Sequence, residues 1–98
     1  MKIAWTHRAR ARLWQIHAYI ARDQPRNADA VVERVIYRVA QLGEHPFSGR
    51  VVAAYERNDL REIIESPYRI VYLVRVDRIE VVTVRDTRRL LPRNPAEL

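Results

Sequence analysis

The sequence predicts an α+β fold: an N-terminal strand, then an antiparallel two-helix hairpin packed on a small, mostly antiparallel sheet, in the order β-α-α-β-β-β. Three observations carry this expectation. Two stretches in the first half repeat apolar residues at three- and four-residue steps, the period of helices with one buried stripe. The second half holds runs rich in Val, Ile and Tyr, bounded by polar and proline-containing breaks, which is strand composition. Finally, 98 residues supply one modest core and leave no room for a second, so residues 1–98 form a single domain.

Lys2 to Trp5 is short and apolar at Ile3 and Trp5, and it leads into Thr6, a good helix N-cap, so an opening strand turns directly into a helix. Ala9, Leu13, Ile16 and Ile20 place one stripe on that helix, from His7 to about Arg22, with Arg8, Arg12 and Gln15 on other faces. Asp23 to Arg26 breaks it at Pro25, and Asn27 is positioned to cap a second helix. In that helix Ala28, Val31, Val32, Val35, Ile36, Val39 and Leu42 form a broader stripe ending at Gly43. Its valines are poor helix formers alone, so it depends on packing. A tight turn between the helices implies an antiparallel hairpin.

His45 to Arg50 reads as a loop in which Gly49 supplies a backbone geometry that other residues resist. Val51 to Asp59 fits either a strand start or an ordered loop. Leu60 to Glu65 is a clearer strand, and Ser66-Pro67 punctuates it before two further strands, Tyr68 to Val74 and Ile79 to Val84. These three make a meander, to which the opening strand adds an edge. Apolar residues at both parities in the last two strands predict that both faces are at least partly covered. The tail from Arg85, with two prolines and no period, is expected to be irregular or briefly helical.

Composition narrows the function classes. There is no cysteine, which excludes disulfides and thiolate metal sites. No apolar run approaches the roughly 18 residues of a membrane span, and Met1 runs directly into the first strand without a secretory segment, so the expected location is the cytoplasm. The formal charge is +6 with a pI near 10.5, and Lys2 is the sole lysine. Guanidinium charge of this kind suits bidentate grips on phosphate or carboxylate. A coding bias that writes Arg for Lys accounts for the same composition.

HExxH, CxxC, a glycine-rich phosphate loop and a nucleophile elbow are all missing, and His7, His17 and His45 have no metal-ligand spacing, so no cofactor or metal is expected. What remains is the arginine set Arg50, Arg61, Arg69, Arg85, Arg88 and Arg89. Converging on one face, these would grip a phosphate backbone or stabilise charge on phosphorus during RNA cleavage. Such cleavage also needs a general base and acid. Asp86 and Glu62 are candidates, although a carboxylate beside arginines is more often a salt-bridge partner. Arg69 sits mid-strand on the side of Val71 and Leu73, where an ion pair to Glu62 or Glu65 is as good an explanation as function. Trp14, and Trp5 with it, reads as a core or partner-contact aromatic.

Taken together, these segments resemble the RelE/ParE superfamily of toxins from bacterial type II toxin-antitoxin systems over nearly the whole chain. The resemblance runs through W-T-x-x-A and L-x-x-I-x-x-Y-I (Trp5, Thr6, Ala9, Leu13, Ile16, Tyr19, Ile20) and L-x-x-x-P-x-x-G-R (Leu42, Pro46, Gly49, Arg50). It continues through L-R-E-I (Leu60 to Ile63), Y-R-I-V-Y (Tyr68 to Tyr72) and V-x-x-x-R-R-L-L-P (Val84, Arg88 to Pro92). It implies a small basic toxin neutralised in a hetero-oligomer by a cognate antitoxin, ParD-like or another small acidic protein. RelE-like members cleave messenger RNA on the ribosome, and Arg50, Arg69, Arg85 and Asp86 would then surround the scissile phosphate. ParE-like members poison DNA gyrase. Asp86 stands where many members carry histidine before the RR pair, and no tyrosine follows Tyr72, so the resemblance favours the ParE-like branch. On that branch the expectation is gyrase inhibition by protein contact, with Arg61, Arg69, Arg85, Arg88, Arg89 and Trp14 meeting target or antitoxin. A binding module without toxicity is the third possibility, separable by plating after induction without antitoxin.

Overall fold

A computed structural model describes all residues 1–98. The elements are β1 (Lys2–Trp5), α1 (His7–Ala21), α2 (Pro25–Ala40), β2 (Arg50–Val51), β3 (Leu60–Glu65), β4 (Tyr68–Val74) and β5 (Arg78–Asp86). Short 3-10 turns cover Gln41–Gly43 and Pro95–Glu97. The strands form one sheet in the order β1-β5-β4-β3-β2, antiparallel throughout except for β1, which lies parallel to β5. No helix is long and apolar enough to cross a membrane.

The chain turns from strand to helix at Thr6. Its backbone is extended, its N–H still donates to the Val81 carbonyl of the neighbouring strand (3.0 Å), and its Oγ1 accepts the Ala9 N–H (3.0 Å). α2 differs from the expected start. Asn27 does not cap it; the helix begins two residues earlier with Pro25 in its first turn, where a missing N–H leaves no bond unmade. The helix also ends at Ala40, and Leu42 is buried from the 3-10 turn that follows.

Both helices cover one sheet face. Ala9 and Leu13 of α1 and Val32, Val35 and Val39 of α2, with Leu42, pack against Ile63, Ile70, Tyr72, Ile79, Val81 and Val84 of the sheet. Ile36, expected in the buried stripe, is about half exposed. It stands about 100° round the helix from Val35, and the stripe running through Val31, Val35 and Val39 already meets the sheet.

The other face carries a smaller core, Val52, Leu60, Val71 and Leu98, bordered by Tyr55, Leu73, Val82 and Leu91. The tail is therefore structural. It starts later than expected, since β5 pairs with β4 through Arg85 and Asp86, and its irregular backbone then folds back so that Leu98 is buried, the Pro92 carbonyl accepts the Tyr55 hydroxyl (2.6 Å), and the Leu98 carbonyl accepts an Arg8 N–H (2.9 Å). A register shift in the β4–β5 ladder pairs Val71 with Thr83 but Tyr72 with Val81, leaving Val82 without a partner. This extra residue lets Val81 and Val84, of opposite parity, both enter the helix-side core.

Gly49 has no positive φ, so the expected backbone reason for glycine does not hold. Space is the reason instead. A Cβ there would lie 2.5 Å from the Tyr72 hydroxyl and 2.6 Å from the Glu62 carbonyl, and the Tyr72 hydroxyl itself accepts the Gly49 N–H (3.0 Å) and donates to the Pro46 carbonyl (2.8 Å).

Candidate functional site: the arginines of the sheet

Alternation along β3, β4 and β5 places Glu62, Arg69 and Arg85 on the face away from the helices, beside the smaller core. In the ladder Arg50 lies opposite Glu62, whose partner on β4 is Val71, and Arg69 lies opposite Arg85 two residues along, so Glu62 meets Arg69 on the diagonal and a stepped row of charge crosses four strands. Glu62 is only 3% exposed and bridges two of these arginines. Its Oε1 accepts the Arg50 Nε–H (2.9 Å), and its Oε2 accepts an Arg69 N–H (3.3 Å). The Arg69 side chain is 18% exposed and that of Arg50 67%, so the pairing is half shielded on one side and open on the other.

Arg85 has no such partner. Its guanidinium is depressed below the usual arginine range, chiefly by burial and then by the charge of Arg12, with Arg89 and Arg8 adding to it. Tyr55 stands close by: burial raises its hydroxyl pKa, and the charges of Arg85 and Arg69 partly offset the rise. Its O–H is already donated to Pro92.

The remaining candidates are spread around this row. Arg61 is turned to the helix side and holds the loop together: its Nε–H donates to the Asn58 carbonyl (2.9 Å), and two further N–H groups donate to Asn58 Oδ1 (2.6 Å) and the Gly49 carbonyl (2.9 Å). The same guanidinium lies over the Phe47 ring, 4.9 Å from its centroid. Asp86 pairs with Arg88 through both oxygens (2.9 and 2.7 Å) and also accepts the Arg88 backbone N–H (2.9 Å). These bonds hold its carboxyl well below the usual range, the side-chain bond to Arg88 first among them. Arg89 is exposed and forms no ion pair. Trp14 lies apart on α1, 53% exposed, with its ring edge-on to His17, whose Nε2 meets Asp29 of α2 at 2.8 Å.

Two residues outside the predicted set belong beside Arg85: Arg12 from α1 and Tyr55 from the loop after β2. Sequence spacing placed Arg12 merely off the buried stripe. Which element that face meets depends on how α1 lies along β5. Among all side chains, no cluster of three or more His, Asp or Glu is arranged to hold a metal ion.

Comparison with known proteins agrees with this architecture. Residues 3–91 match the family described as the ParE toxin of the type II toxin-antitoxin system, parDE. A curated Sinorhizobium fredii protein named "Putative toxin Y4kP" is 40% identical over 83 residues, spanning 85% of this chain and 84% of its own. A solved structure titled "Chromosomal ParDE TA system from P. aeruginosa" superposes with a TM-score of 0.74 at 21% identity, covering 88% of this chain and 95% of the other, which is a likeness of fold. The matched segment runs from β1 through the sheet and into the tail, so it takes in nearly every element described above, and the chain belongs to the ParE toxin family of type II toxin-antitoxin systems.

Proposed function

We propose that the chain inhibits DNA gyrase by protein contact and is kept harmless by a cognate antitoxin, a ParD-like or other small acidic protein bound in a hetero-oligomer. Membership of the ParE family supports this reading. The observation that carries it is the commitment of the carboxylates beside the arginines. Glu62 is divided between Arg50 and Arg69, and Asp86 is held ionised by Arg88. Asp86, held on the ionised side by Arg88, is a weak base at neutral pH, and both oxygens of Glu62 are bonded to arginines, so these side chains are better suited to gripping charge than to moving protons. Trp14 and Tyr19 on α1 and Ile36 and Tyr37 on α2 stand exposed, as apolar anchors for an amphipathic segment would. An acidic antitoxin segment would complement the net charge of +6.

Purified toxin freed of its antitoxin is expected to stop gyrase from supercoiling relaxed plasmid, with activity restored on adding antitoxin back. Full supercoiling at excess toxin rejects the proposal. A second reading, a RelE-like endoribonuclease acting on ribosome-bound messenger RNA, draws on the direct opposition of Arg69 and Arg85 with Tyr55 beside them. It requires new toe-prints on translated messenger RNA that Arg69→Ala abolishes.

A further inference from the structure

Six arginines are partly buried: Arg12, Arg38, Arg61, Arg69, Arg78 and Arg85. Four of them have acceptors within the protein: Arg38 on Glu65 and the Ile64 carbonyl, Arg61 on the loop, Arg69 on Glu62, and Arg78 on Asp77 and Glu80. Arg12 and Arg85 have none, and the Nε–H of each is shielded from solvent with no acceptor in reach. Arg69 Nε is shielded too, but its guanidinium is anchored on Glu62. A buried guanidinium donor left unpaired is costly, so two in one place are out of keeping with the other partly buried arginines.

Both lie in one cleft. It runs between α1 and the C-terminal half of β5, with a volume of about 680 Å³, and its walls include Arg12, Gln15, Tyr19, Tyr68, Arg85 and Arg89. The one carboxylate in its lining, Asp86, is taken by Arg88. Three guanidiniums therefore face a shared space without a counter-ion.

We propose that this α1–β5 cleft is a binding site for a phosphate group, held by Arg12, Arg85 and Arg89. The inference is independent of the gyrase reading. A carboxylate has two oxygens and one charge. A phosphate offers more acceptors around a tetrahedral centre, matching three guanidinium forks arriving from a helix, a strand and the segment after it. Tyr19 and Tyr68 add hydroxyls, and rings against which a sugar or base attached to the phosphate would lie. An anion there would also relieve the mutual repulsion of Arg85 and Arg12.

The test uses the full chain, 15N-labelled at arginine, with each side-chain Nε–H followed by NMR. Titration with inorganic phosphate is expected to shift the Arg12 and Arg85 signals saturably and to leave Arg57, bound to Asp59 on the surface, unmoved. A dinucleotide monophosphate saturating at lower concentration than inorganic phosphate would identify a nucleic acid backbone as the source. Equal or tighter binding of inorganic phosphate would identify a free phosphate. Arg12→Gln and Arg85→Gln are each expected to weaken binding roughly tenfold, as loss of a charge-assisted bond implies, whereas Arg10→Gln leaves it unchanged. The wild-type titration stands even where a variant fails to fold. Unmoved Arg12 and Arg85 signals, shifts spread equally over Arg57, or a response only to an acidic peptide would each overturn the proposal.

Discussion

Replacing Glu62 with glutamine removes one negative charge from the middle of the arginine row while keeping the shape of the side chain. Glu62 is almost fully buried and faces two guanidiniums, so the loss has two parts. The Arg50 contact is largely in water and is worth at most about 1 kcal/mol. Arg69 is mostly shielded and sits opposite Arg85, and leaving a buried charge without its partner costs about 3–5 kcal/mol. Arg69 keeps some solvent contact and the amide still accepts a hydrogen bond, so the expected loss for Glu62→Gln is about 2–3 kcal/mol. For a domain of this size that corresponds to a fall in Tm of roughly 10–20 °C. Urea unfolding followed by tryptophan fluorescence measures it, with Trp5 packed against the main core and Trp14 exposed on α1. Adding Arg69→Gln should recover about 1 kcal/mol or more, because the unpaired charge is then gone. A Glu62→Gln protein within about 0.5 kcal/mol of the parent would refute the view that this carboxylate neutralises the row.

Gly49→Ala is expected to destabilise by about 1–3 kcal/mol in urea unfolding, and Tyr72→Phe should not rescue it, because the added Cβ still meets the Glu62 backbone carbonyl. Leu98→Ala should cost about 2–3 kcal/mol in thermal melts, a core-sized effect at the last residue; a loss below about 0.5 kcal/mol would mean that the tail does not close the second face. Glu80 is held below its usual 4.5, first by its bond to Arg75 and then by Arg78. A depressed carboxylate contributes stability above that value and loses it as pH falls through the folded-state pKa, so Glu80→Gln should differ from the parent at neutral pH and converge with it in acid. A difference that stays constant with pH would contradict this.

Periodicity and composition marked out both helices and the longer strands, because a buried stripe and a covered strand leave their own spacing in the chain (Ala9 with Leu13, Val31 to Val39, Ile70 to Leu73), but left the short β2 open between strand and loop. Local rules were enough for Thr6, whose side chain caps the turn it starts. They failed at Asn27, where the proline two residues earlier is the better helix start, and at Gly49, whose constraint comes from Tyr72 and Glu62, distant in sequence. An ion pair of Arg69 to Glu62 or Glu65 was legible from the strand pattern, and Glu62 is the one that forms, but the other meetings of the arginines were beyond local reading. Arg50 meets Glu62 only because strand register aligns them, Arg85 meets Arg12 only because α1 lies along β5, and Leu98 is buried only because the tail returns over the sheet. A side chain's own position sets its face on an element. Its neighbour across a gap is chosen by how the elements pack.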